Sequence, residues 1–172
     1  MVMSVSKNKS LISTVFSFPN PVNEVAARTV AAGVVLISLA YVVTGNPWVL
    51  LVLSYGFFAR VATGPTLSPV GLLATRVIAD RIAEPRLVPG PPKRFAQSVG
   101  LVFSVAAVIF HFGLNSADIA RIVISVLTVF AFLESAVGFC CGCYVFTRLM
   151  NWGLIPESIC KECIFEPHTS TN

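Results

Sequence analysis

Residues 26–43 read AARTVAAGVVLISLAYVV, an apolar run whose single charged side chain is Arg28. A helix needs about 20 mostly apolar residues to cross the hydrocarbon core of a bilayer, because each residue advances it by about 1.5 Å. The run has this length, and the turn-forming residues Thr44-Gly45-Asn46-Pro47 follow it directly. It therefore predicts a first membrane span.

Three further segments have the same apolar character. They cover about residues 47–63, 95–114 and 118–139. After the second of them comes a short amphipathic helix at about 69–83, whose apolar stretch is too short to span. Residues 87–92 are proline-rich and are expected to form a stiff extended linker, because proline fixes φ. The predicted fold class is all-α: an integral membrane protein with four transmembrane helices and a short interfacial helix between spans two and three.

The composition argues against a water-soluble globule. Of the 172 residues, 55% are hydrophobic and only 12% are charged, whereas a soluble domain carries about 25% charged residues. The mean hydropathy of +0.81 also argues against a disordered chain. The net charge of +4 is explained by cations that flank the spans, so it gives no indication of nucleic-acid binding.

Apart from Arg121, which lies near the turn at 115–117, the cations lie on one side of the predicted spans. Lys and Arg are frequent before the first span, in the connection at 60–94 and after the fourth span, whereas the turns at 44–46 and 115–117 contain none. An excess of Lys and Arg marks cytoplasmic loops. We therefore expect both termini in the cytoplasm, with a tail at 1–22, a four-helix membrane domain at 23–150 and a cysteine-containing tail at 151–172.

All five cysteines lie near the carboxyl end of the chain. Four of them form two Cys-x-x-Cys pairs, Cys140 with Cys143 and Cys160 with Cys163, and residues 144–159 separate the pairs. A gap of about 15–20 residues between such pairs is typical of a zinc site with four thiolate ligands. On the predicted topology the pairs face a reducing compartment, where permanent disulfides are rare.

The same sulfur atoms also fit a redox role. A Cys-x-x-Cys pair at a helix end can hold a thiolate of lowered pKa that attacks a disulfide or persulfide. Cys140 and Cys143 are then the candidate catalytic thiols, and Cys160 and Cys163 resolve the product or complete the site. If the fourth helix continues through residue 143, Cys140 and Cys143 share one face and Cys141 points away. A third interpretation treats cysteines as small apolar residues without chemistry; zinc is the one cofactor indicated, and the alternatives stay open.

The candidates for charges buried within the predicted spans are Arg28, Arg60 and Glu134. Arg60 and Glu134 lie about 20 Å and about 24 Å from the outer ends of their helices. This similar depth predicts an Arg60–Glu134 ion pair that shapes a polar pocket near the cysteines, since pairing lowers the cost of burying charge. The alternative is that Arg28 and Arg60 extend to the lipid headgroups. Lys93 and Arg94 are expected to contact anionic lipid.

Several short motifs together carry a resemblance to a known family. They are NPVN at 20–23, GFFAR at 56–60, the proline-rich break at 64–69, GPPKRFAQ at 90–97, GFCCGC at 138–143 and GLIP at 153–156. Over about residues 18–165 the chain resembles a family of small bacterial integral membrane proteins that is classed as a domain of unknown function and has a Gly-Phe-Cys-x-Gly-Cys motif after the last span.

The resemblance implies a helical, multi-pass protein of the bacterial inner (plasma) membrane and an association with thiol or sulfur chemistry. It carries over no activity and no catalytic residue. The expected partners are the lipid bilayer and either a thiol or sulfur-carrier protein or a larger membrane complex, in which the chain would be an accessory structural subunit.

Overall fold

A computed structural model of the protein describes residues 18–78, 81, 84, 86–156 and 159. Helices make up most of this part of the chain. Residues 1–17 and 160–172, which include most of both predicted tails, lie outside the described ranges.

The described residues form six α-helices and one short pair of strands. The helices are α1 (Glu24–Thr44), α2 (Pro47–Thr63), α3 (Pro69–Leu73), α4 (Gly90–Val108), α5 (Ala117–Phe132) and α6 (Cys141–Asn151). Three of them continue into π-helical segments: α3 into Ala74–Ile78, α4 into Ile109–Gly113 and α5 into Leu133–Val137. The strands are β1 (Val22–Asn23) and β2 (Leu87–Val88).

Three of the helical stretches are long and apolar enough to cross a membrane. They are Glu24–Thr44 with 21 residues, Gly90–Gly113 with 24 and Ala117–Val137 with 21. Helix α2 is also apolar, but its 17 residues stand at the lower limit of about 17–25 for a span. The prediction of a helical protein with membrane-like helices is confirmed. The fourth span and the interfacial position of the short helix stay predictions.

The four long helices pack side by side around one apolar core. Helix α1 contacts α2 and α5, and α4 contacts α2, α5 and α6. Tyr41, Leu50 and Ile124 are among the fully buried side chains of this core. Helices α2 and α4 approach closely at Gly100, where a side chain would overlap the ring of Phe57. A larger residue at 100 would therefore force this ring to move.

The outer surface of the bundle is also apolar. Leu36, Phe58, Val102, Ile122 and Phe132 are each more than half exposed. Contiguous apolar surface on this scale is uncommon on soluble monomers and typical of surfaces that a membrane or a partner covers.

Helix α4 begins earlier than the sequence predicts, at Gly90 instead of residue 95. Proline is well suited to the first turn of a helix, because the N–H that it lacks has no partner there, and Pro91 and Pro92 occupy this turn. The preceding residues Leu87–Val88 pair antiparallel with Val22–Asn23. The prediction of an extended linker is therefore wrong for residues 90–92, and the early start brings Lys93 into the bundle.

The predicted short helix at 69–83 is present in its first half. Helix α3 begins at Pro69, and the Ser68 hydroxyl accepts a hydrogen bond from the Gly71 amide at 3.2 Å. The π-helical segment Ala74–Ile78 follows, and residues 79–80 and 82–83 lie outside the described part of the chain.

Candidate functional site

The Gly-Phe-Cys-x-Gly-Cys motif forms a sharp turn between two helices. The helical stretch that begins with α5 ends at Gly138, whose φ of 77° lies in the left-handed region that favours glycine. Cys140 then caps the amino terminus of α6, and its Sγ accepts a hydrogen bond from the Cys143 amide at 3.4 Å. The predicted fourth helix thus ends at Val137 and not at residue 139, and the condition under which Cys140 and Cys143 would share one helix face is not met. The two thiols meet because Cys140 is a helix cap and Cys143 lies in the first turn.

The second glycine of the motif allows α6 to pack closely on α4. A side chain at Gly142 would place its Cβ 2.6 Å from the Cα of Ala96. Because the obstacle is backbone, no rotamer change would relieve this overlap. The rings of Phe95 and Phe146 extend the same contact, with centroids 5.6 Å apart. This packing fixes the amino terminus of α6, and with it Cys140, against the first turns of α4.

A buried ion pair joins α4 to the end of the α5 stretch beside this turn. Lys93 Nζ lies 2.8 Å from Glu134 Oε1, and the two side chains are only 10% and 14% exposed. The predicted Arg60–Glu134 ion pair and the predicted contact of Lys93 with lipid headgroups are both wrong. The reason is the early start of α4, which places Lys93 directly opposite Glu134. Arg94, one residue later, is exposed.

Arg60 is buried nearby with neutral hydrogen-bond partners. Its side chain is 4% exposed; Nε donates to Gln97 Oε1 at 2.8 Å, and Nη1 donates to Ser68 Oγ at 3.3 Å. The guanidinium also lies over the Phe57 ring, 4.6 Å from its centroid. Glu134 is close enough to interact with it electrostatically. The orientation of Arg60 is thus set by Gln97 of α4, by Ser68 before α3 and by Phe57 of its own helix.

Arg28 closes the carboxyl end of the α5 stretch. Its Nε and Nη2 donate to the Ser135 carbonyl at 3.2 and 3.1 Å, and Nη2 also donates to the Ala136 carbonyl at 3.0 Å. Carbonyls at a helix end have no partner within the helix, and a cation there is favourable. Arg28 therefore satisfies backbone groups of the bundle instead of extending to lipid headgroups.

Two cavities meet at Cys140. One, of about 230 Å³, lies between the helices and is lined by apolar side chains together with Glu134, Cys140 and Cys141. The other, of about 360 Å³, is lined by Glu24, Lys93, Cys140, Cys143 and Thr147. Cys140 belongs to both, and the second cavity brings its partner thiol and the Lys93 stem to the same wall. A reactant in that cavity would therefore meet both sulfur atoms.

The surroundings of the three described cysteines shift their pKa values in different directions. The hydrogen bond from the Cys143 thiol lowers the pKa of Cys140, and the charge of Lys93 and the Cys143 amide act in the same direction against burial and Glu134. The same hydrogen bond is the largest of the causes that raise the pKa of Cys143, and burial is the second largest. Burial also raises the pKa of Cys141. Cys140 is therefore the more acidic thiol of the pair.

The structure thus unites Cys140, Cys143 and Glu134 and adds Lys93, which the sequence analysis assigned to the lipid surface. The paired prolines at 91–92 were the sequence signal from which the earlier helix start, and with it the position of Lys93 within the helix, could have been predicted. Cys160 and Cys163 lie outside the described residues. Among the residues that are described, no three His, Cys, Asp or Glu side chains come together as a metal site. The four-thiolate zinc hypothesis depends on the undescribed pair and stays a prediction.

Comparison with protein families gives one match. Residues 22–151 match the family described as "Domain of unknown function (DUF4395)", and this range includes both ends of the ion pair and the whole cysteine motif. No curated protein and no solved structure matches the chain.

The difference in acidity predicts a specific pH profile of alkylation. At each pH the thiolate fraction sets the rate, and a lower pKa moves the midpoint of the rate profile to lower pH. We expect the profile of Cys140 to have a lower midpoint than that of Cys141, measured by iodoacetamide labelling of the detergent-solubilised protein and site-resolved mass spectrometry. The midpoint is compared, and not the rate, because burial slows Cys140 at every pH.

The matched variants are Cys143→Ala and Cys143→Ser. Alanine removes the hydrogen-bond donor and should raise the Cys140 midpoint, whereas serine keeps a donor and should raise it less. Equal midpoints for Cys140 and Cys141 in the wild-type protein would contradict the assignment of Cys140 as the thiol of lowered pKa.

Proposed function

The chain belongs to the family described as "Domain of unknown function (DUF4395)", and we propose that it is a membrane-embedded dithiol factor that exchanges disulfides at the cytoplasmic face of the bacterial inner membrane. Cys140 is the attacking thiol and Cys143 is the resolving thiol. The observation that carries this proposal is the position of Cys140, which caps α6, accepts a hydrogen bond from the Cys143 amide and lines a cavity together with Cys143 and Lys93.

The proposed membrane arrangement has four spans. The stretch from Pro47 to Thr63 would be the short second span, beside the three longer ones. Most of the described cations near the helix ends lie on one side, with Arg28 in α1, Arg60 in α2, Lys93 in α4 and Arg148 in α6. Arg121 in α5 lies at the other end, beside Gly45. The short helix α3 would lie in the interface on that side. The positive-inside rule makes it the cytoplasmic side and places the cysteine motif there.

The chemistry that we propose is thiol–disulfide exchange. The Cys140 thiolate attacks one sulfur of a substrate disulfide, forms a mixed disulfide and releases the other substrate sulfur as a thiolate. Cys143 loses its proton and attacks the Cys140 sulfur, so a Cys140–Cys143 disulfide forms and the second substrate thiolate leaves. The substrate gains two electrons and the protein loses two. A cytoplasmic dithiol reductant restores the two cysteines by the same exchange in reverse.

The neighbouring charges support the order of these steps. The positive charge of Lys93 favours the Cys140 thiolate, and Glu134 both holds Lys93 in place at 2.8 Å and limits this effect. Cys143 stays protonated until Cys140 has formed the mixed disulfide, because the Cys143 thiol donates its proton in a hydrogen bond to the Cys140 sulfur. Cys141 lies on the wall of the other cavity and takes no part in the exchange.

A trapping experiment tests the roles of the cysteines. We use purified protein in which Cys160 and Cys163 are serine, and glutathione disulfide as the substrate. With Cys143→Ser the mixed disulfide on Cys140 cannot be resolved, so we expect at least about tenfold more glutathione adduct than with Cys143 present, as counted by intact-protein mass spectrometry. Cys141→Ser is the matched control and should behave as the parent protein.

Each outcome of this experiment has a distinct meaning. An adduct on Cys141, or none on Cys140 in the Cys143→Ser variant, contradicts the proposal. Zinc that is bound by the unmodified protein and lost in Cys140→Ser would replace the dithiol function with a metal site. Persulfide on Cys140 of protein isolated from cells would assign the thiols to sulfur transfer, and full cellular function without Cys140 and Cys143 would favour an accessory subunit.

The topology is tested with single cysteines in a cysteine-free variant. Thr44→Cys and Leu114→Cys stand at the outer turns, and Leu87→Cys and Trp152→Cys stand at the opposite end; all four native side chains are exposed. We expect a membrane-impermeant maleimide to label the first two in intact cells and the last two only after lysis. Labelling of residue 87 or 152 in intact cells would reverse the orientation, and labelling of residues 44 and 87 alike would eliminate the second span.

A further inference from the structure

Arg60 keeps one guanidinium nitrogen without a partner in the interior of the bundle. Its Nε and Nη1 are hydrogen-bonded to Gln97 and Ser68, but Nη2 is buried and donates to no acceptor among the described residues. A buried donor without an acceptor costs free energy, and the cost is larger when the group is charged. Arg60 as a whole is only 4% exposed, so bulk water does not supply an acceptor for Nη2.

A cavity lies directly at this guanidinium. It measures about 180 Å³, and its polar wall is formed by Arg60, Lys93, Gln97, Asn23 and Thr75. Its volume is several times the share of about 30 Å³ that one water molecule takes in the liquid. The remaining wall includes Phe18, Pro19 and Pro21 of the segment that precedes α1. The cavity is thus large enough for a small ion, and Arg60 forms part of its lining.

The charges around the cavity do not balance. Lys93 and Glu134 neutralise each other at 2.8 Å, and Arg60 has no carboxylate within 4.0 Å among the described residues. The buried group of Arg60, Lys93 and Glu134 therefore has a net charge of +1. A buried cation is stable only when an opposite charge and complete hydrogen bonding compensate for the lost water.

We propose that this cavity binds a small oxyanion of the sulfate or phosphate type on Nη2 of Arg60. The anion supplies the missing acceptor and the missing negative charge together. A guanidinium suits such a ligand because its fixed, planar N–H groups match the oxygen spacing of phosphate and sulfate. The oxyanion is either a free ion or the phosphate of a lipid headgroup. The inference does not depend on the dithiol function, since it rests on Arg60 and not on the cysteines.

The test measures binding of radiolabelled sulfate to the delipidated full-length protein in detergent. We expect saturable binding that weakens at least about tenfold in Arg60→Gln. Arg94→Gln is the matched control, since it removes the same charge from an exposed residue and should leave binding unchanged. Arg60→Lys keeps the charge but loses the planar fork, and should bind with intermediate strength.

A second arm identifies the source of the oxyanion. Native mass spectrometry of gently purified protein reports bound phosphatidylglycerol. Retention of this lipid, its loss in Arg60→Gln and weak sulfate binding would support the same site with a headgroup as ligand, whereas sulfate binding alone would support a free ion.

A third measurement needs no variant and so does not depend on the folding of Arg60→Gln. Sulfate should raise the melting temperature of the wild-type protein more than chloride at equal ionic strength, or bound phosphatidylglycerol should do so in its place. The inference is overturned if neither ligand binds or stabilises the protein, or if Arg60→Gln and Arg94→Gln bind equally well.

Discussion

The ion pair between Lys93 and Glu134 is the interaction on which the end of the bundle that carries the cysteine motif depends. Both side chains are almost completely buried, and a charge in such surroundings is tolerated when its partner is in contact. The pair fixes the first turn of α4 against the last turn of the α5 stretch. It also brings a positive charge to the place where the chain turns back at Gly138 and begins α6 at Cys140.

The cysteine motif is built on this fixed end. Gly138 ends one helix, Gly142 lets the next helix approach Ala96, and Cys140 becomes a helix cap between them. Arg28 holds the same helix end through the carbonyls of Ser135 and Ala136. The thiols therefore stand on a rigid frame instead of a loose tail, and the reactivity that we propose for Cys140 follows from its place in this frame.

Arg60 is a further buried cation of the bundle, and it differs from Lys93 in having no carboxylate partner among the described residues. Its Nε and Nη1 donate to Gln97 and Ser68, and no carboxylate of the described residues lies within 4.0 Å of the guanidinium. The bundle thus has one compensated charge pair beside the cysteines and one uncompensated cation beside a separate cavity. A protein that buries both has two chemically distinct polar sites at the same end of the bundle.

The apolar runs of the sequence were sufficient to predict α1 and α2, whose bounds lie within two residues of the predicted ones, but they did not predict α6. The turn at 44–46 was equally clear from Gly45 and Pro47. The partners of the buried charges were not predictable, because depth along a helix does not show how the helix is rotated about its axis. Arg60 and Glu134 lie at similar depth, yet Lys93 of α4 supplies the contact to Glu134. Cys140 as a cap was missed because an apolar run hides the break at Gly138.

A double-mutant cycle on Lys93 and Glu134 tests this dependence most directly. The free energy of unfolding in mixed micelles is measured for Lys93→Met, Glu134→Leu and the double variant. Each single variant leaves one buried charge unpaired and should cost about 3–5 kcal/mol, whereas the double variant should be less destabilised than the sum by more than about 1.5 kcal/mol. Additive effects of the two substitutions would show that the pair does not hold the helices together.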